Sequence, residues 1–150
     1  MKTLKRLVVA GVLALALAAC GGGGGNSGGG AATNNPTIAA DGENLAFDKT
    51  ALTVGQGQVT LTFNNPSAVN QHNWILVNGG DDVAARVDEA SLSAENYIPE
   101  NADVLAHSRL LNPGENDTVT FTAPAPGTYT YICTVPGHYA AGMKGTLTVQ

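Results

Sequence analysis

The stretch Gly127-Thr128-Tyr129-Thr130-Tyr131-Ile132-Cys133-Thr134-Val135-Pro136-Gly137-His138-Tyr139-Ala140-Ala141-Gly142-Met143-Lys144-Gly145-Thr146-Leu147-Thr148-Val149 decides the reading of this chain. Thr128, Thr130 and Ile132 share one parity and Tyr129, Tyr131 and Cys133 the other, which is the period of a strand with Cys133 at its end. Pro136-Gly137 reverses the chain. Leu147 and Val149 then alternate with Thr146 and Thr148 in a last strand. Two strands thus bracket a short loop that carries a thiol, an imidazole and a thioether.

Cysteine, histidine and a weak axial methionine form a ligand set suited to copper, because it compromises between the soft sulfur preferred by Cu(I) and the nitrogen preferred by Cu(II). Such a site suits electron transfer. A second imidazole is needed, and only His72 and His107 remain. His72 is the better candidate: it lies in Val69-Asn70-Gln71-His72-Asn73-Trp74-Ile75-Leu76-Val77, whose β-branched and aromatic residues read as a strand entering a core. His107 stands among polar residues and reads as a surface histidine. Proline comes third after Cys133 and not second, so the N–H of Val135 is free to bond the thiolate, with the N–H of Asn73 as a second donor.

The same alternation recurs upstream. Val59, Leu61 and Phe63 alternate with Thr60 and Thr62, and Val119 and Phe121 with Thr118, Thr120 and Thr122, separated by clusters such as Gly55-Gln56-Gly57 and Pro124-Ala125-Pro126-Gly127. The fold class is therefore all-β, a sandwich of two sheets with Greek-key connections. One segment departs from it. From Asp81 to about Asn96, Val83, Val87, Ala90 and Ala94 recur at helical spacing and acidic residues open the first turn, so a helix-bearing flap is expected between the strands of His72 and Val119.

The N-terminus has a basic patch (Lys2, Lys5, Arg6), an apolar run from Leu7 to Ala19 and small residues before Cys20, the layout of a secretory signal over 1–19. Leu17-Ala18-Ala19-Cys20 resembles a bacterial lipobox, which implies cleavage before Cys20 and lipid on its sulfur. The following Gly, Asn, Ser and Thr residues give nothing to bury, so 20–37 reads as a flexible tether; about 17 residues of this type span roughly 20–25 Å r.m.s.. The folded part, 38–150, suits one domain. With Cys20 lipidated, the two cysteines cannot form a disulfide within the chain, and metal ligation would protect Cys133. The expected location is the outer face of the plasma membrane, in an extracytoplasmic or periplasmic compartment.

Without 1–19, Lys49, Arg86, Arg109 and Lys144 face 12 acidic residues, a net charge of −8. Nucleic-acid binding is excluded, and so is an electrostatic hold on anionic lipid. A cysteine hydrolase would need a positioned base and an oxyanion site, for which no motif exists. A catalytic second copper centre would need more than the one histidine left over. A copper carrier would show Met-rich or Cys-rich exposed sites. The chain reads as a monomeric one-electron carrier and not an enzyme, with the edge of His138 passing the electron and Pro136, Tyr139, Ala140 and Ala141 forming a docking patch around it.

His72-Asn73-Trp74, Cys133-Thr134-Val135-Pro136-Gly137-His138 and Met143-Lys144-Gly145-Thr146-Leu147 together resemble the cupredoxins, the blue copper proteins. Within that family the azurin type has three residues between His and Met. The four here are similar to the auracyanin branch. The resemblance covers most of 38–150 and implies one copper ion alternating Cu(II)/Cu(I), held by His72, Cys133, His138 and Met143, with the Gln71 carbonyl facing it at longer range. It further implies that the Asn73 side chain ties its strand to Thr134. As partners it implies membrane redox complexes or a cytochrome in a photosynthetic or respiratory chain, with a quinol-oxidising complex as donor and a reaction centre or cytochrome as acceptor.

Overall fold

The structure, a computed structural model, describes residues 31–150. The expected signal segment, Cys20 and the glycine run after it lie outside the described residues.

The alternating segments form strands. These are β1 (Thr37–Ala39), β2 (Ala51–Val54), β3 (Gln58–Asn64), β4 (Ile75–Val77), β5 (Val104–His107), β6 (Asn116–Thr122), β7 (Gly127–Ile132) and β8 (Lys144–Val149). They make a three-stranded sheet in the order β1-β3-β6 and a five-stranded sheet in the order β2-β8-β7-β4-β5. In β3, Val59, Leu61 and Phe63 are fully buried while their threonine neighbours face outward. Their partners across β6 are Phe121, Val119 and Asp117. The two sheets close on one core that also takes Leu52, Val54, Leu147 and Val149 from β2 and β8. Opposite each other on parallel strands, Leu52 and Leu147 show the inward parity shared by β2 and β8.

The helix α1 (Asp81–Ser91) explains why β4 reads as an unbroken apolar run and not as an alternation. Trp74 and Leu76 point into the sandwich core, whereas Ile75, Val77 and Ile132 pack on Val83, Ala84 and Val87 of α1. Those strands are covered on both faces, so both parities must be apolar. Tyr131 and Cys133 keep the inward parity expected for them. Tyr131 lies directly over Gly145, its register partner, where a Cβ would collide with the phenol ring. Its hydroxyl donates to the Lys49 carbonyl at 2.7 Å.

Three expectations change. The strand expected over Val69–Val77 is regular only from Ile75; His72 instead pairs with Leu111 in an isolated bridge. The helix expected to reach Asn96 stops at Ser91 and gives way to a 3-10 turn (Glu95–Tyr97), in which Asn96 and Tyr97 have φ of 53° and 59°. The chain has already left helical conformation at Ala94 (φ −88°, ψ 150°), ahead of the two left-handed residues. The helical face is accordingly Val83, Ala84, Val87 and Ser91, with Ala90 and Ala94 only half-buried. Finally, the segment read as tether up to Thr37 is bonded into the fold from Thr33, whose N–H donates to the Thr53 carbonyl at 3.1 Å, and the Asn34 side chain bridges to Gly55, Gln56 and Gln58.

Candidate metal centre

The loop between β7 and β8 is closed by its own backbone. Cys133 N–H donates to the Met143 carbonyl (3.1 Å), Met143 N–H to the His138 carbonyl (3.0 Å), and His138 N–H to the Val135 carbonyl (2.9 Å). Gly137 supplies the turn with φ of 86°, a conformation that costs a side-chain-bearing residue about 1 kcal/mol or more. The ring of bonds places Cys133, His138 and Met143 together before any metal arrives.

His72 comes from the segment leading into β4, the neighbour of β7 in the same sheet, and completes the cluster. Its Nδ1 lies 3.8 Å from Cys133 Sγ, and His138 Nδ1 lies 3.4 Å from the same sulfur. The three donor atoms all fall within 4.8 Å of one another. The two imidazole rings are 4.9 Å apart between centroids, tilted by 50°. His72, Cys133 and Met143 are fully buried, and His138 keeps 8% of its surface exposed. His107 stays outside the cluster: it is exposed on β5, its Nδ1 3.0 Å from the Ser108 carbonyl.

The side chain of Asn73 joins the two ligand-bearing segments. Its Oδ1 accepts the Thr134 N–H at 2.8 Å and its Nδ2 donates to Thr134 Oγ1 at 2.9 Å, both within the core. The Thr134 hydroxyl in turn donates to the Tyr97 carbonyl at 2.5 Å, and Ser91 Oγ donates to the Thr134 carbonyl at 3.2 Å. The flap therefore holds the ligand loop from outside, a role for Ser91 and Tyr97 that no sequence signal announced. Asn73 and Val135 donate their backbone N–H groups to the Cys133 sulfur, the two donors expected for it.

Burial sets the protonation of the cluster. It lowers His72 to about 4, helped by the like charge of His138 and opposed by Glu43, and it lowers His138 as well. Both imidazoles are neutral at pH 7, with lone pairs free for a metal. Burial pushes the Cys133 thiol up to about 11, against the pull of its two N–H donors, so a cation must displace a proton to bind. Two nitrogens and a sulfur converging in a buried cluster, with a buried thioether in the same loop, fit copper. The second ring nitrogen of His72, Nε2, is buried and has no hydrogen-bond partner.

Around the exposed edge of His138, Pro136, Ala140 and Ala141 are exposed. Tyr139 is half-buried and engaged with the flap: its ring packs on the Ile75, Val83 and Val87 cluster and its hydroxyl donates to the Asp81 carbonyl at 3.3 Å. Gln71 is exposed, with its side-chain amide donating to Asn112 Oδ1 at 2.8 Å.

Comparison with known proteins follows the same lines. Residues 35–150 match the family described as copper binding proteins, plastocyanin/azurin family. Auracyanin-A of Chloroflexus aurantiacus is 54% identical over 163 aligned positions, covering 100% of both chains. The structure of dithionite-reduced auracyanin from the photosynthetic bacterium Roseiflexus castenholzii aligns at a TM-score of 0.77 and 49% identity, over 79% of this chain and 98% of that one. That of auracyanin A, a "blue" copper protein from the green thermophilic photosynthetic bacterium Chloroflexus aurantiacus, aligns at 0.74 and 55% identity, over 77% and 98%.

Proposed function

The chain belongs to the plastocyanin/azurin family of copper-binding proteins, a family of electron carriers and not enzymes, and on that premise we propose a lipid-tethered blue copper carrier that docks through the edge of His138. The observation that carries this reading is the convergence of buried His72, Cys133 and His138 donors, with Met143 in the same loop. Copper supplies a one-electron Cu(II)/Cu(I) couple when bound there.

The residues of the chain do the rest. His72, Cys133 and His138 would hold the ion, with the Met143 thioether as a weaker further ligand and the Gln71 carbonyl as a nearby oxygen. The N–H groups of Asn73 and Val135 stabilise the thiolate, and the Asn73 to Thr134 bonds keep the two halves of the site in register. Because these bonds exist without metal, the donors need not rearrange when the charge of the ion changes. Pro136, Ala140 and Ala141, with the exposed part of Tyr139, form the apolar patch by which a partner approaches His138; a weak contact there suits a carrier that must dissociate quickly.

The N-terminal signal over 1–19 is removed, Cys20 carries lipid, and the segment up to about residue 32, before the chain is bonded into the fold at Thr33, tethers a monomeric domain to the outer face of the plasma membrane. Among the described residues no helix is long and apolar enough to cross a membrane. The two auracyanin structures come from photosynthetic bacteria, which supports a place between membrane redox complexes, with a quinol-oxidising donor and a reaction centre or cytochrome as acceptor. The visible spectrum of copper-loaded protein tests the central reading. An intense thiolate-to-Cu(II) band that bleaches on reduction and is absent from Cys133→Ala is expected, and a colourless copper-loaded wild type would overturn it. Mass spectrometry of the membrane-extracted protein tests the anchor: an acylated Cys20 is expected, and an unmodified thiol on an intact leader would refute it.

A further inference from the structure

His72 follows a segment, Ser67–Asn70, that belongs to no strand, and one carboxylate organises it. Glu43 accepts hydrogen bonds from Ser67 Oγ at 2.8 Å, from the Ala68 N–H at 2.6 Å and from Asn70 Nδ2 at 3.3 Å. Ser67 Oγ passes the order on by accepting the N–H groups of Val69 (3.1 Å) and Asn70 (2.8 Å). From beneath, buried Asn65 donates to the Asn70 carbonyl at 2.8 Å and accepts the Ser67 N–H at 3.1 Å. Glu43 reaches this segment from the turn between β1 and β2, which is closed by the Asn44 N–H on the Asp41 carbonyl (3.0 Å) and the Asp41 N–H on the Ala46 carbonyl (2.9 Å). Its position is therefore fixed by the sheet and not by the segment it holds.

Glu43 is also unneutralised. The ion pairs among the described residues engage Lys49, Arg86, Arg109 and Lys144 with other carboxylates, and none includes Glu43. Its bonds to Ala68 and Ser67 hold its carboxyl below the usual carboxylate range, so it is charged at neutral pH, and its field acts on His72. A ligating histidine ordinarily donates its second ring N–H to a carboxylate, carbonyl or water, and His72 Nε2 has no direct partner in the core.

We propose that Glu43 is a positioning residue for His72 and supplies a fixed negative charge that biases the copper couple toward Cu(II). The inference rests on the copper-carrier reading of the same site. A single negative charge interacts more strongly with the doubly charged than with the singly charged ion, so it lowers the reduction potential. For an exposed carboxylate the expected bias is about threefold in the oxidised-to-reduced equilibrium, or ~28 mV at 59 mV per tenfold for one electron.

Two variants of the full-length protein separate charge from geometry. Glu43→Gln keeps one oxygen to accept the Ala68 N–H, places an amide NH2 where Oε2 met Ser67 and Asn70, and loses the charge. It should retain the blue band, raise the potential by about 28 mV, and lose most of that shift in 1 M salt, where the screening length is about 3 Å. Metal-free Glu43→Gln should also bind Cu(II) about threefold more weakly in chelator competition, with Cu(I) binding less affected. Glu43→Ala should raise the potential as well and, unlike Gln, speed hydrogen exchange at Ala68, Val69 and Asn70. A Glu43→Gln protein with the wild-type potential, or with a shift indifferent to salt, would overturn the inference while leaving the carrier reading intact. Only loss of the blue band from the wild type would sink the latter.

Discussion

The two segments that meet at the site are built on different principles. Residues 133–143 hang between two strands that are antiparallel neighbours, and their bonds close on each other along the backbone. Residues 67–74 reach the same place with one bridge to Leu111, one backbone bond from the Ser108 N–H to the Trp74 carbonyl, and otherwise through side chains: Glu43, Asn65, Ser67, Asn73 and Ser108. A site fixed on one side by covalent proximity and on the other by distant polar side chains should fail first on the second side. Backbone rings survive a single substitution, whereas a side-chain bond disappears with its side chain.

Removal of the joint between the two halves is expected to have the largest effect. Asn73→Ala strands the buried N–H of Thr134 and should destabilise the metal-free protein by about 2–3 kcal/mol, read as a fall in the urea midpoint at constant slope. A destabilisation no larger than that of an exposed substitution would mean that the halves are held together elsewhere. Acid should come next. His72 has its pKa lowered from 6.5 to about 4, so the unfolded chain binds a proton before the folded one does and stability rises with pH between those values. Metal-free protein should therefore lose roughly 2 kcal/mol as the pH falls from about 6.5 to about 4. His72→Gln should abolish that part of the slope, and an unchanged slope would assign it to carboxylates.

On the loop side, Met143→Leu conserves volume in the core and should cost less than about 1.5 kcal/mol in stability. It should raise the reduction potential while retaining copper, measured by voltammetry and metal analysis; loss of copper would make Met143 a strong ligand and not a weak one. The smallest effect is expected at the far end of the loop, where Lys144 pairs with Asp81 of α1 at 2.6 Å with both side chains well exposed. Lys144→Gln should change stability by no more than about 0.5 kcal/mol.

The asymmetry also governs what was legible beforehand. The loop is a contiguous string whose residue types, spacing and flanking alternation state both fold and chemistry, so Cys133, His138 and Met143 could be paired without a structure. His72 was reachable because only two histidines lay outside the loop and one of them sat beside a tryptophan in an apolar run. The regular strand expected there is shorter in the fold, since His72 and Trp74 satisfy their backbones through Leu111 and Ser108 and not through a ladder. The helix end at Ser91 was hidden, because the chain turns extended at Ala94, a residue that carries no stop signal, before the left-handed Asn96 and Tyr97. Glu43 was invisible for the same reason: a glutamate in a polar turn looks like solvated surface until the fold shows which N–H groups it meets. The helix that covers β4 and β7 was legible as an amphipathic segment, but its hold on Thr134 through Ser91 and Tyr97 was not.

All four cations of the described domain are tied to carboxylates, which leaves the surplus of acid unopposed over the surface. In colloidal terms such molecules avoid one another. Two copies that met through the apolar rim of His138 would bring their like fields together at the distance where screening is weakest. The repulsion therefore acts as a filter on encounters, disfavouring contact between two copies through this rim relative to contact with a surface of opposite sign.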